Sequence, residues 1–392
     1  MSAEPSPVLI VALSARSLAL AASRAGYPAA VVDLFGDVDT RRLAARNAVV
    51  PGDLGLGFEA EALIAATGEL APPGGLEVWG LVYGSGLESR PELLEILSRG
   101  RRLWGNRPEV LRAIKDPAYF FGMLDRLGLP HPEIRSKPPA ETMGWLVKGV
   151  GGAGGGHISV LSQASATGAG QYFQRRVAGR AVSCLFLADG REGQLLGWSE
   201  QWPSPDPGHP FRFGGAVQPA NLPAKVAAPI AAALTPLVEE TGLVGLNSID
   251  LMVDDDGEFH LLEVNPRPGA SLDIFDGEGS QALFGRHVAA CEGRLSPGWH
   301  RPFQASAMSV VYAESLIQVP SDISYPAWLA DRPAPGARIE PGTPVCTVMA
   351  QAADAPSARR GVLARNRRVL EALAAGDGSL LTMDRSAVEE TG

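Results

Sequence analysis

A chain of 392 residues, 45% hydrophobic and 20% charged, is long enough for two or three domains with sizeable cores and is globular in composition. Its net charge of −9, with no long basic run, argues against nucleic acid or an anionic membrane surface as the main partner. Three cysteines set far apart, Cys184, Cys291 and Cys346, suggest neither a disulfide framework nor a zinc site, so a reducing cytoplasm is the expected location.

The chain begins MSAEPSPVLIVALSARS, with an acidic lead and only a short apolar run before Arg16, so neither a signal peptide nor a membrane span is expected. Val8 to Ala12 reads as a buried strand, Ala15 to Ala25 as a helix stopped by Gly26, and Ala29 to Asp33 as a second strand. That is a βαβ opening. Its first turn, LSARS, lacks the glycines of a dinucleotide fingerprint, which argues against nicotinamide or flavin there. Val78 to Tyr83 is another strand, followed by Gly84, Ser85, Gly86, Leu87 and Glu88. Small residues at the carboxyl end of a parallel strand are where open α/β sheets bind ligands, and a plain tight turn before the helix at Pro91 is the alternative.

Asn106 to Ile114 reads as a short helix. Lys115, Asp116 and Pro117 start the next one, with Asp116 as N-cap and proline in the first position, and it ends at Gly128. Trp145 to Val150 is a strand carrying Lys148, then come Gly151, Gly152, Ala153, Gly154, Gly155 and Gly156, and then the alternating His157 to Leu161. Glycines let backbone amides approach phosphate oxygens, and the lysine adds charge. Because the loop joins two strands and opens no helix, it is neither a P-loop nor a Rossmann turn but a lid; a flexible linker is the alternative. Tyr172 to Val177, Ala178-Gly179 and Ala181 to Ala188 form two strands around a hinge whose backbone is suited to reading an adenine edge. A polar loop with four prolines, Trp202 to Arg212, leads through Gly214-Gly215 into a helix from Ala224 to Thr241.

Val244 to Arg267 reads as strand, turn, strand, because alternating apolar runs flank a polar cluster ending in Asp256-Gly257. Closing the hairpin with a two- or a four-residue turn puts Asp250, Glu263, Asn265 and Arg267 on one face, since side chains alternate with period two. Leu251, Val253, Leu262 and Val264 then form the packed face. Two carboxylates and an amide are hard oxygen ligands suited to Mg²⁺, and the arginine is a planar fork for phosphate oxygens. A solvent-facing hairpin with ordinary polar residues is the alternative. Beyond it lie a loop from Asn265 to Ser271 and a helix from Gln281 to Cys291 ended by Gly293, on which His287 reads as a packing residue. From about Met308 the chain reads as short strands with proline- and glycine-rich turns and an Arg-rich helix from Ala358 to Ala374, a small β-rich domain capping the site, with a loose end after Gly376.

Lys115 before a helix closing in GLPHP, Lys148 before the glycine loop, QRRVAG, and Asp250 with EVNPR together resemble the ATP-grasp superfamily over about residues 105 to 300. GSGLE upstream, and YAESLIQVP with ADRPAPGARIEPGTPVCTVMA downstream, are similar to predicted ATP-dependent carboligases related to biotin carboxylase. The resemblance implies an α/β (α+β) chain of ATP-grasp fold. Its parts are an N-terminal Rossmann-like βαβ domain (1–105), a two-part ATP-grasp domain (106–300; lid about 115–183, core about 184–300) with a glycine-rich lid, and a small C-terminal β-rich domain (301–392). It implies that Lys115 and Lys148 hold nucleotide phosphates beside Gly154, Gly155 and Gly156, and that Gln174, Arg175 and Val177 form the adenine hinge. Asp250, Glu263 and Asn265 would hold magnesium, two ions in the usual arrangement with Mn²⁺ as a substitute, and Arg267 would steady an acyl phosphate. The hinge of the family usually opens with an acidic residue, and Gln174 is neutral.

Gly84, Ser85, Gly86, Glu88 and Ser271 are the candidate substrate contacts. The activity implied is an ATP-dependent carboxylate–amine ligation through an acyl phosphate, releasing ADP, such as the addition of glutamate in coenzyme biosynthesis. A bicarbonate-using carboxylase, a phosphotransferase and a non-catalytic nucleotide-binding subunit are the alternatives. The expected partners are a small-molecule carboxylate and an amine, with no nucleic acid and no membrane, and a homodimer is an open option. No Met-Lys-Met biotin carrier motif is present.

Overall fold

The structure is a computed structural model and describes residues 5–74, 78–163, 165, 168–277 and 282–376. The first part is a five-stranded parallel sheet in the order Arg46–Val49, Ala29–Asp33, Val8–Val11, Gly80–Tyr83, Arg102–Leu103. Its central strands, VLIV, AAVVD and GLVY, are buried along their whole length, as continuous apolar runs covered on both faces should be. The carboxyl ends of Val8–Val11 and Gly80–Tyr83 are tied together where the Leu13 N–H donates to the Ser85 carbonyl at 2.9 Å. That edge of the sheet faces the main cleft of the molecule.

Asp116 caps the helix Pro117–Arg126, its side chain accepting from the Tyr119 N–H at 2.8 Å. A small antiparallel sheet follows, in the order Ile158–Val160, Trp145–Gly149, Gln171–Arg175, Ile134–Arg135. Trp145, Val147, Leu161 and Phe173 form its own apolar cluster. Lys148 sits between Ile158 on one neighbour and Tyr172 on the other.

The largest sheet has eight antiparallel strands, in the order Phe259–Asn265, Val244–Val253, Arg180–Asp189, Gly193–Pro203, Phe213–Gln218, Ala305–Tyr312, Pro344–Ala352, Leu329–Ala330. The helix Ala224–Thr241 has the bounds expected from the sequence and ends on Gly242 in the left-handed conformation. It packs Val226, Ile230, Leu234, Leu237 and Val238 against Ile249, Leu251 and Val253 of the sheet. The β-rich C-terminal strands extend this same sheet, and the helix Ala355–Ala374 covers them through Ala358, Val362, Val369 and Leu373.

Two expectations are corrected here. Trp202 and Pro203 end one strand and Gly214-Gly215 lie inside the next, where a loop leading straight into a helix was expected. The glycines are strand residues because of close packing: a Cβ on Gly215 would sit 2.4 Å from the Met308 carbonyl oxygen and from the Trp202 ring. The second concerns the hairpin turn. Val253 pairs with Phe259, so five residues, 254 to 258, form the loop, rather than two or four. An odd loop alone would put Asp250 opposite Leu262, but a bulge between Asp250 and Leu251 restores the pairing of Asp250 with Glu263. The inserted residue is Leu262, which consequently leaves the core face and lines the cleft, while Leu261 takes the buried place.

The helix expected from Gln281 runs from Leu283 to Cys291, and Gln281 itself lies outside the described residues, as does the chain after Gly376. His287 on this helix accepts from the Leu246 N–H through Nδ1 at 2.9 Å and so donates from Nε2 to the Trp104 carbonyl at 3.0 Å, a packing role. No helix among the described residues is long and apolar enough to cross a membrane.

Candidate active site

A cleft of about 2260 Å³ lies between the N-terminal sheet, the small lid sheet and the eight-stranded sheet. On its floor, Asp250 and Glu263 face each other across the hairpin, two rungs from the Ser248–Asn265 pair. Asp250 accepts from Asn265 Nδ2 at 2.9 Å through Oδ2 and from Gln201 Nε2 at 3.5 Å through Oδ1. Burial, and then the Glu263 charge, push the Asp250 carboxyl above its ordinary value. Burial also acts to raise Glu263, but Lys115 and then Lys148 outweigh it and hold that carboxyl well below the usual carboxylate range. Lys115 Nζ lies 3.4 Å from Glu263 Oε2.

Lys148 is 2% exposed, reaches Gln174 Oε1 at 3.3 Å and stands 5.8 Å from the centre of the Tyr172 ring. Burial brings its pKa down, against the pull of Glu263 and Asp250. Gln174 is equally buried, and its Nε2 has no hydrogen-bond partner. Arg175 and Val177 line the cleft with Gly179, at which a Cβ would meet the Val253 carbonyl oxygen at 2.3 Å. The Arg175 N–H is committed to the Glu133 carbonyl at 2.8 Å, and its guanidinium lies over Trp145, 5.7 Å from the ring centre.

In the glycine loop, Ala153 to Gly156 line the cleft. Gly155 is demanded by the protein itself: with φ +76°, a Cβ there would fall 1.9 Å from the Phe211 carbonyl oxygen. Beside it the Phe213 N–H donates to the Gly154 carbonyl at 2.9 Å, which docks the loop on the start of the strand Phe213–Gln218. A Cβ on Gly154 would meet nothing, although φ is +66°. His157 closes the loop. Burial brings its imidazole down to about 4, so it is neutral at pH 7, with Glu263, Lys148 and Lys115 as its charged neighbours.

Arg267, 9% exposed, donates from Nε to Glu88 Oε1 at 2.6 Å and from Nη2 to Asn265 Oδ1 at 3.4 Å. The other Glu88 oxygen accepts from the backbone N–H groups of Gly86 and Leu87 at 2.7 and 3.1 Å. The Arg267 charge holds the Glu88 carboxyl below its ordinary value despite burial, which acts to raise it. Of the five substrate candidates, Gly84, Ser85 and Ser271 line the cleft, whereas Gly86 and Glu88 do not. A Cβ on Gly86 would strike the Leu13 side chain at 2.7 Å, and Glu88 is fully occupied in holding Arg267.

The structure thus gathers Lys115, Lys148, Asp250, Glu263, Asn265 and Arg267 around one point. Sequence reasoning missed Glu88 as the partner of Arg267, and it missed Gln201 and His157. Ser183, which hydrogen-bonds Asp250 and pairs with it across the sheet, was within reach of a register argument had the neighbouring strand been aligned.

The donor set fits a divalent cation with phosphates. Two carboxylates and an amide oxygen are hard ligands, the two carboxylates repel one another, and cationic lysines border them. Among the described residues there is no group of three or more His, Cys, Asp or Glu of the sort that encloses a metal entirely in protein. Mg²⁺ is usually held through one or two carboxylates and keeps its other positions for water and substrate phosphate.

Residues 115–271 match the ATP-grasp domain family. Pyruvate carboxylase from Rhizobium etli superposes with a TM-score of 0.69 at 16% identity, over 93% of this chain and 37% of its own, so this chain spans little more than a third of that protein. The biotin carboxylase domain of Hydrogenobacter thermophilus 2-oxoglutarate carboxylase, a dimer in complex with MgADP, ADP and bicarbonate, gives 0.69 at 13% identity, over 93% of each chain. N5-carboxyaminoimidazole ribonucleotide synthetase from Thermotoga maritima gives 0.62 at 15%, over 93% of this chain and 98% of its own. Comparison with curated proteins finds no match. The chain carries an ATP-grasp domain, set in the α/β architecture of the ATP-grasp fold.

Proposed function

We propose that this protein is an ATP-dependent carboxylate–amine ligase that works through an acyl phosphate. The observation that carries the reading is the facing pair Asp250 and Glu263, bordered by Lys115 and Lys148 and completed by Asn265 and the Glu88-held Arg267. Such an arrangement concentrates positive charge and cation ligands where a terminal phosphoryl group would be transferred, and positioning with electrostatics is most of what phosphoryl transfer requires.

A substrate carboxylate oxygen attacks the γ-phosphorus of ATP, the bridging β–γ P–O bond breaks, and ADP leaves with that electron pair. The amine nitrogen then attacks the acyl carbon, the C–O bond to phosphate breaks, and phosphate departs as the amine proton is lost to solvent. Lys115 and Lys148 hold phosphate oxygens, the Ala153–Gly156 lid covers them, and Arg267, fixed by Glu88, steadies the acyl phosphate. Asp250, Glu263 and Asn265 would hold Mg²⁺, one ion or two, which neutralises phosphate charge; Mn²⁺ would serve in its place. Gly84, Ser85 and Ser271 form the substrate wall.

The likeness to biotin carboxylase and to N5-carboxyaminoimidazole ribonucleotide synthetase supports a second reading, in which the carboxylate is bicarbonate and an amine is carboxylated. Domains at 1–105, 106–300 and 301–392, a homodimer, a cytoplasmic location and a place in coenzyme biosynthesis, with glutamate as one candidate amine, belong to the same proposal. The test is a screen of acids and amines with MgATP that follows ADP, phosphate and amide formation. Carboxylate labelled with ¹⁸O must deliver one labelled oxygen to phosphate. Bicarbonate dependence selects the second reading, and turnover with unlabelled phosphate from labelled acid refutes both.

A further inference from the structure

Gln174 is a buried amide with one half satisfied and the other not. Its Oε1 is 3.3 Å from Lys148 Nζ, and its Nε2 has no partner. The orientation follows from chemistry, because an ammonium has donors only and the amide must therefore turn its oxygen to Lys148. The unpaired group is thus an N–H₂ donor, in a residue that is 2% exposed and lines the cleft. A buried donor without an acceptor is costly, so this one is matched to an acceptor that arrives with a ligand.

Which part of the ligand it meets follows from strand register. Lys148 pairs with Tyr172 and is followed at once by the glycine loop, whereas Gln174 pairs with Leu146, two residues further from that loop. Two residues of strand are roughly 6.6–6.8 Å. The phosphate end of a nucleotide belongs at Lys148, the glycine loop and the carboxylates, so the base end belongs at Gln174 and the segment through Gly179, which lines the cleft beyond it.

The edge of adenine that carries N7 offers one acceptor beside one donor, the 6-amino group. A 6-oxopurine offers two acceptors there, N7 and O6. Gln174 Nε2 is a donor, so it suits the O6 acceptor of a 6-oxopurine and cannot accept from a 6-amino group. A carboxylate at position 174 would instead accept from the 6-amino group.

We propose that Gln174 is a specificity-determining residue that opens the base end of this cleft to 6-oxopurine nucleotides alongside ATP. The proposal rests on the nucleotide-binding reading of the cleft. It is tested by calorimetric binding of MgADP and MgIDP to the full chain, which needs neither acid nor amine and involves no turnover. The quantity read is the ratio of the two dissociation constants, in the unmodified protein, in Gln174→Glu and in Gln174→Met. Any general effect on folding or on Lys148 weakens both ligands alike and cancels in the ratio. Gln174→Glu should raise Kd(IDP)/Kd(ADP) by about fivefold to tenfold, the worth of one hydrogen bond exchanged for an unfavourable contact, and Gln174→Met should raise it less. An unchanged ratio in both variants, with MgADP still bound by the unmodified protein, overturns the proposal and leaves the nucleotide site standing. Failure of the unmodified protein to bind either nucleotide overturns both.

Discussion

Glu88 and Arg267 make the most informative single perturbation. Both oxygens of Glu88 are used: one accepts from Arg267 Nε at 2.6 Å and the other from the Gly86 and Leu87 N–H groups. Glutamine has the same shape but only one acceptor, so in Glu88→Gln an N–H₂ group must face either the guanidinium or the two backbone donors. The side chains are 1% and 9% exposed, so solvent cannot repair the loss. Removing one partner of a buried pair commonly costs about 3–5 kcal/mol, because the remaining charge stays buried. Chemical denaturation followed by tryptophan fluorescence should show a loss of about that size for Glu88→Gln, and MgATP-dependent turnover should fall with it as Arg267 loses its anchor.

The pH dependence has a definite sign. Because pairing holds the folded-state pKa of Glu88 below its ordinary value of 4.5, its stabilising contribution is complete above that value and is lost as pH falls through the acid range. Glu88→Gln should therefore lose less stability on acidification than the unmodified protein. A variant as stable and as active as the parent at neutral pH would refute the argument that Glu88 holds Arg267.

Glu263→Gln keeps shape but removes the negative charge that Lys115 and Lys148 face, so the thermal midpoint should fall at neutral pH and turnover of the folded variant should drop about 10²-fold or more; full activity in the folded variant would sink the magnesium assignment. Gly155→Ala should displace the lid from the Phe211 carbonyl and raise the Michaelis constant for ATP more than Gly154→Ala, whose added Cβ meets nothing; equal kinetics in the two would reduce the loop to a linker. On the proposed reading, which sets lysines and carboxylates around the terminal phosphate, the nucleotide product should be ADP; AMP with pyrophosphate in the chromatogram would remove the acyl-phosphate reading.

Period-two alternation made the polar face of the second hairpin strand legible, because strand geometry puts Glu263 and Asn265 on one side whatever the rest of the chain does. Capping chemistry likewise located the helix that begins at Pro117, and the helix Ala224–Thr241 was read at its observed bounds. These are local signals, decided within a few residues.

What the sequence left open depended on partners far along the chain. The strands Gly193–Pro203 and Phe213–Gln218 contain glycines and prolines that locally read as loop, and they are strands because the Met308 backbone and Trp202 press against them. The five-residue loop and the bulge at Leu262 cancel each other, so Glu263 reaches Asp250 by a route that alternation alone does not describe. Glu88 lies 179 residues from Arg267 and was taken for a substrate contact, since nothing near it in sequence shows that a buried guanidinium will claim its charge. Residue types and local period determined which side chains this protein has to work with. Only the tertiary structure decided which of them remain free to face the cleft, because a buried charge is committed by whichever neighbour folding brings against it.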